Sequence, residues 1–88
     1  MNNSTDIFNL LNDAKKESMH IHKNETFLLK DLFKGYEWNR IPHKDRLLLG
    51  TLFLKYVNDN SESIIAFRKT SSKQQIYRKV KLNSMDHH

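Results

Sequence analysis

An α+β domain is the fold class this sequence predicts. Two stretches repeat apolar residues at spacings of three and four, two later stretches read as strands, the second alternating along its length, and the polar run Asn58-Asp59-Asn60-Ser61 separates the helical part from the strands. Its 88 residues make one domain at most, and with no cysteine no disulfide can supplement the core. A domain of this size buries only about 60–65% of the surface its unfolded chain exposes, so its stability margin is thin.

Ile7, Leu10, Leu11, Ala14 and Ser18 share a face over residues 6–19. This predicts a first amphipathic helix with Ser4 or Thr5 as N-cap and Asp6 at the positive end of the helix dipole. Met19, Ile21 and Lys23 then alternate with His20, His22 and Asn24, and over residues 20–26 a loop leading into a short strand is expected. Leu28, Leu29, Leu32 and Phe33 fall on one helical face, so residues 27–33 read as a short helix stopped by Gly35. Residues 36–41 read as a short helix or tight turn, because Pro42 disfavours α conformation at Ile41 and suits the first turn of another helix.

That next helix, residues 43–58, has the clearest pattern in the chain. Asp45, Leu49, Leu52, Phe53 and Tyr56 share a face, with Leu48 and Val57 at its edges. Leu47, Thr51 and Leu54 form a second, partly apolar stripe in place of a charged face. Gly50 in mid-helix costs about 1 kcal/mol against alanine. A close backbone contact, most simply a crossing helix, is therefore expected at Gly50.

Beyond the polar break, residues 64–69 and 74–81 read as two strands joined by Thr70, Ser71, Ser72 and Lys73, a β-hairpin. On the second strand Ile76, Arg78, Val80 and Leu82 alternate with Gln75, Tyr77, Lys79 and Lys81. The first set is expected to pack and the second to display Tyr77 among lysines. The resulting order is helix, short strand, helix, turn element, long helix, hairpin. It is the order of a winged helix-turn-helix with three or four helices and a C-terminal β-hairpin wing, in which the short strand pairs with the hairpin. The expected boundaries are an N-terminal helix and connector at 1–24, the winged-helix domain at 25–82 and a flexible tail at 83–88.

Charge is divided unevenly along this order. Residues 1–62 hold nine Lys and Arg against nine Asp and Glu, whereas residues 63–88 hold Arg68, Lys69, Lys73, Arg78, Lys79 and Lys81 against Asp86 alone. The whole net charge of +5 thus lies in the hairpin and tail. A neutral body with a cationic module points to a polyanion partner, since clustered Lys and Arg draw phosphates and displace their counterions. Rings that could stack on bases are Tyr36, Trp38 and Tyr77. Lys44 and Arg46, at the start of the long helix, would assist the hairpin cations. Leu47, Thr51 and Leu54 argue against ordinary major-groove reading, which presents Arg, Asn or Gln to base edges.

Other chemistries find no support in the sequence. His20 and His22 stand two apart without a cysteine or carboxylate cluster to complete a metal site, so no metal is expected. Gly35 and Gly50 are the only glycines, which rules out a Gly-rich phosphate loop. The carboxylates alternate with cations, as on a solvated surface. Neither catalysis nor a cofactor is expected. No apolar run approaches the ~20 residues of a membrane span. The first residues lack the basic start and apolar core of a secretory signal, so the cytoplasm is the expected compartment. His87 and His88 form a pair that a purification tag would also leave, and no function is read from them.

Three segments together resemble a known family: Phe27-Leu28-Leu29-Lys30-Asp31-Leu32-Phe33, Gly35-Tyr36-Glu37-Trp38, and Arg46-Leu47-Leu48-Leu49-Gly50-Thr51-Leu52-Phe53. They look like a small bacterial domain family of unknown function that includes the winged-helix single-stranded-DNA-binding protein of cassette-chromosome mobile elements. The resemblance covers roughly residues 25–81, leaving the first helix outside. It implies a winged helix, single-stranded DNA as partner, and a role in replication or transfer of a mobile element. On that expectation Arg68, Lys69, Lys73, Arg78, Lys79 and Lys81 contact phosphates with Lys44 and Arg46, while Tyr77, Tyr36 and Trp38 stack on bases. The alternatives are a duplex-binding winged-helix regulator and a protein-interaction adaptor working through the Leu47 and Leu54 stripe. Replication proteins or a second copy of the chain are the candidate protein partners.

Overall fold

The computed structural model describes residues 6–81. Three α-helices and a three-stranded antiparallel sheet form a mixed α+β domain: α1 (Ile7–Ser18), β1 (Thr26–Leu28), a 3-10 turn (Leu29–Leu32), α2 (Gly35–Arg40), α3 (His43–Asn60), β2 (Ile64–Lys69) and β3 (Gln75–Lys79). In the sheet β3 lies between the other two, so the short strand between the first two helices pairs with the hairpin. One core holds the layers together. Leu11 and Ala14 of α1, Phe27, Leu29 and Leu32, Leu49, Phe53 and Val57 of α3, and Ile64 and Tyr77 of the hairpin form a single buried cluster.

α1 packs against α3, and its apolar face is the expected one. Its N-cap is Asp6, whose Oδ1 accepts from the Phe8 N–H at 3.0 Å. Ser4 and Thr5 lie outside the described residues, and the carboxylate does the capping work assigned to them. α3 runs two residues further than its pattern implied and buries Leu49, Phe53 and Val57, with Leu52 and Tyr56 partly packed. Leu48 is exposed, because the core reaches α3 from the α1 and sheet sides only.

The segment 27–33 departs from its predicted helix. Thr26, Phe27 and Leu28 pair with Arg78, Tyr77 and Ile76, which makes them a strand and moves the strand expected over 20–26 to its far end. The Asp31 carboxylate accepts from the Leu28 N–H at 2.9 Å and turns the chain into the 3-10 turn. Sheet pairing and the stacking of Phe27 on Tyr77, with centroids 5.6 Å apart, override the local helical spacing. Gly35, expected as a stop, is the first residue of α2, and Glu37 accepts from the Lys34 N–H there at 3.3 Å.

Two further expectations fail for identifiable reasons. Among the described residues no element crosses α3 at Gly50, since a Cβ built there meets nothing within 4 Å. On β3 the faces are reversed: Tyr77 and Lys79 point into the core, each 1% exposed, while Ile76 and Arg78 are only partly covered. Ring area decides the direction, because Tyr77 fills the space between Phe27 and Phe53. Lys79 can follow it inward because its ammonium donates to the Ser18 carbonyl at 2.8 Å, at the C-terminal end of α1 where cations are favoured. Leu82 and the tail 83–88 lie outside the described residues.

The hairpin has two irregularities. Both Ala66 and Phe67 stand opposite Tyr77 before pairing resumes at Arg68 and Ile76, a β-bulge. The extra residue shifts the alternation, so that Lys69, paired with Gln75, shares the inward face with Tyr77 while Arg68 is sent outward. At the tip, Thr70 and Gln74 bracket a three-residue turn in which the Lys73 N–H donates to the Thr70 carbonyl at 2.9 Å. Lys73 closes that turn at φ 68°, in the left-handed region.

Candidate nucleic-acid interface

A cleft of about 650 Å³ opens between the hairpin on one side and the 3-10 turn, α2 and the first two-thirds of α3 on the other. Its floor is the α3 stripe Leu47, Gly50 and Leu54, positions three and four residues apart and therefore on one helical face, with His43 one turn before it at the edge. Thr51, beside them, turns its hydroxyl back to the Leu47 carbonyl at 3.2 Å. That leaves the floor apolar. The stripe singled out in the sequence is thus the bottom of an open channel, with Leu47 61% exposed and Leu54 partly buried against the core.

Around this floor stand four permanent cations. Lys30 comes from the 3-10 turn, Arg46 from α3, and Lys69 and Lys73 from the hairpin. Gln74 and Gln75 add amide groups on the hairpin side. No Asp or Glu is among the described residues that line the cleft. An apolar floor inside a rim of one sign concentrates positive potential where an anion would enter.

Trp38 forms part of the α2 wall and is half-buried. Its ring lies 5.8 Å from that of Phe33 and 5.6 Å from the Arg46 guanidinium. Arg46 in turn donates through Nε to the Ile41 carbonyl at 2.9 Å and through a terminal nitrogen to the Asn39 carbonyl at 3.2 Å. One side chain therefore closes the C-terminal end of α2 and holds the indole at the cleft wall. Tyr77 reaches the cleft only from beneath. Desolvation by burial raises its phenol pKa to about 12, and a ring buried against Phe27 and Phe53 offers no free face to a base.

Of the residues singled out in the sequence, Trp38, Arg46, Lys69, Lys73 and Tyr77 converge on this cleft. Lys44 is exposed in the first turn of α3 but does not line it. Tyr36 is 55% exposed on α2, with the Arg40 guanidinium 5.1 Å and the Lys34 ammonium 6.0 Å from its ring centroid. Arg68 and Arg78 flank Phe67 on the hairpin at 5.3 and 5.9 Å. Lys79 is buried and unavailable to phosphate. Lys81 is exposed and bridges to Glu62 at 3.2 Å. Sequence reasoning missed Lys30, His43, Gln74 and Gln75. His43 could have been found, since it stands one turn before Leu47 on the stripe already noticed.

Among the described residues no group of three or more His, Cys, Asp or Glu could hold a metal ion, and no helix is long and apolar enough to cross a membrane. A solved structure described as "SCCmec type IV LP1413 - nucleic acids binding protein" shares this fold, with a TM-score of 0.70. The alignment covers 94% of this chain and 98% of that one at 20% identity. No curated protein matches the chain. Residues 12–79, which take in most of α1 as well as the whole sheet, match Domain of unknown function (DUF1413), and the chain belongs to that family.

Proposed function

We propose that this chain is a non-catalytic single-stranded-DNA-binding protein built as a winged helix, with the hairpin as its wing. The observation that carries the reading is the cleft, in which, among the described residues, four cations and no carboxylate surround an apolar floor beside a half-buried tryptophan. Lys30, Arg46, Lys69 and Lys73 follow the phosphates, and Trp38, with Tyr36 further out on α2, offers its ring to bases. Lys44, Arg68, Arg78 and Lys81 widen the basic surface beyond the cleft. Single strands are favoured over duplex because the α3 face that borders the cleft offers Leu47, Thr51 and Leu54 where a major-groove reader would offer Arg, Asn or Gln. A neighbour described as a nucleic acids binding protein supports the polyanion, and the family resemblance supports a role in replication or transfer of a mobile element, with the cytoplasm as the compartment.

Anisotropy titrations of one sequence as single-stranded DNA, duplex DNA and RNA, at about 50 and 200 mM salt, test this. Tighter binding to the single strand is expected. Four neutralised phosphates give a log–log salt slope of about −3 on a single strand, an affinity loss of about fiftyfold between those salt concentrations. Preference for duplex, or affinity indifferent to salt, would overturn the reading.

A further inference from the structure

Gly50 has no structural reason to be glycine. It sits in the middle of an 18-residue helix, where glycine is the least favourable residue after proline. Its backbone is helical and needs no positive φ. No neighbour among the described residues approaches it, because a Cβ placed there meets nothing within 4 Å. Yet the empty position faces the cleft floor, three residues after Leu47 and four before Leu54.

We infer that Gly50 opens a subsite for one unpaired nucleobase, received flat against the α3 backbone between Leu47 and Leu54. This rests on the proposed reading of the cleft as a single-strand channel and names what the floor does within it. A ring needs a smooth apolar bed, and a bare backbone turn flanked by two leucines supplies one. The Thr51 hydroxyl, committed to the Leu47 carbonyl, does not intrude on that bed. Charge complementarity fixes the class of occupant: an apolar slot rimmed by Lys30, Arg46, Lys69 and Lys73 suits a molecule with a flat uncharged ring attached to an anionic backbone. A base still paired in duplex cannot enter such a slot. Gly50 therefore contributes selectivity for unpaired strands as well as affinity.

The experiment compares Gly50→Ala and Gly50→Leu with the wild type, using an oligo-dT strand and a strand of equal length carrying abasic sites. A thermal melt of each variant controls for folding. Gly50→Ala is expected to raise the melting temperature, since alanine favours the helix and has room, and yet to weaken dT binding. The wild type should prefer dT to the abasic strand by about tenfold or more, the scale of one lost stacking contact. Gly50→Leu should erase that preference while keeping the salt slope. Variants that bind dT and abasic strands as the wild type does overturn the subsite alone. A wild type that binds neither strand overturns the single-strand reading itself.

Discussion

Lys73 occupies a backbone position that suits glycine or asparagine. A non-glycine residue in the left-handed region is disfavoured by roughly 1–2 kcal/mol, and such strain is retained where a side chain is needed for something else. Here the lysine stands at the hairpin tip on the rim of the cleft. Lys73→Asn is therefore expected to raise stability by about 0.5–1 kcal/mol, because asparagine tolerates that conformation. The same change should weaken single-strand binding and reduce the magnitude of the salt slope by about 0.7. Chemical denaturation and a salt-dependent titration on one sample check both halves.

Tyr77 makes a prediction of a different kind. Its phenol titrates at about 12 in the folded protein against an ordinary 10.0, so the folded state holds its proton more tightly than the unfolded state. The resulting contribution is fully present below pH 10, declines as the unfolded phenol ionises, and is gone once pH passes about 12. Stability followed by denaturant titration should fall across that window. Tyr77→Phe should fall less steeply there, having no phenol to ionise.

At the scale of elements, α1 and α2 are each tied to the rest by one long cationic side chain reaching carbonyls at a helix end. Lys79 reaches the end of α1 at Ser18, and Arg46 reaches the end of α2 at Asn39 and Ile41. Lys79→Ala removes a buried stem and its charge-assisted hydrogen bond, at an expected cost of about 3 kcal/mol. Hydrogen exchange should show the last turn of α1 losing protection first. Arg46→Lys keeps the charge but cannot span both carbonyls or lie as a plane beside Trp38. It is expected to cost about 1–2 kcal/mol, to shift Trp38 fluorescence to the red as the indole gains solvent, and to weaken nucleic-acid binding.

For the whole molecule, the distribution of charge acquires a geometry. The cationic C-terminal third is divided by the sheet: Lys69 and Lys73 meet Lys30 and Arg46 across the cleft, Arg68 and Arg78 gather around the exposed Phe67, and Lys79 goes into the core. The neutral body is thus half of the candidate site. A double variant Lys30→Gln with Lys69→Gln, one from each wall, is expected to reduce single-strand affinity about tenfold or more at about 50 mM salt while leaving the melting temperature within a few degrees. An unchanged titration would show that the strand does not pass between these walls.

Local periodicity and composition were enough to establish the α+β class, the long helix, the hairpin and the excess of positive charge. The 3.6-residue period of α3 and the two-residue alternation of β3 persist over enough residues to be read without knowing the neighbours. Which face of β3 turns inward was settled by packing, since Tyr77 and Ile76 are both credible core residues until Phe27 and Phe53 supply an aromatic cage. The register, in turn, depended on a bulge at Phe67 that no local pattern announces, and that bulge chose Lys69 over Arg68 for the cleft. Residues 26–28 became a strand because β3 was there to pair with them. Gly50 was legible as an anomaly in the sequence. That it faces open space and not another helix is a property of the packed whole, because only the assembled hairpin, α2 and α3 define what is left empty between them.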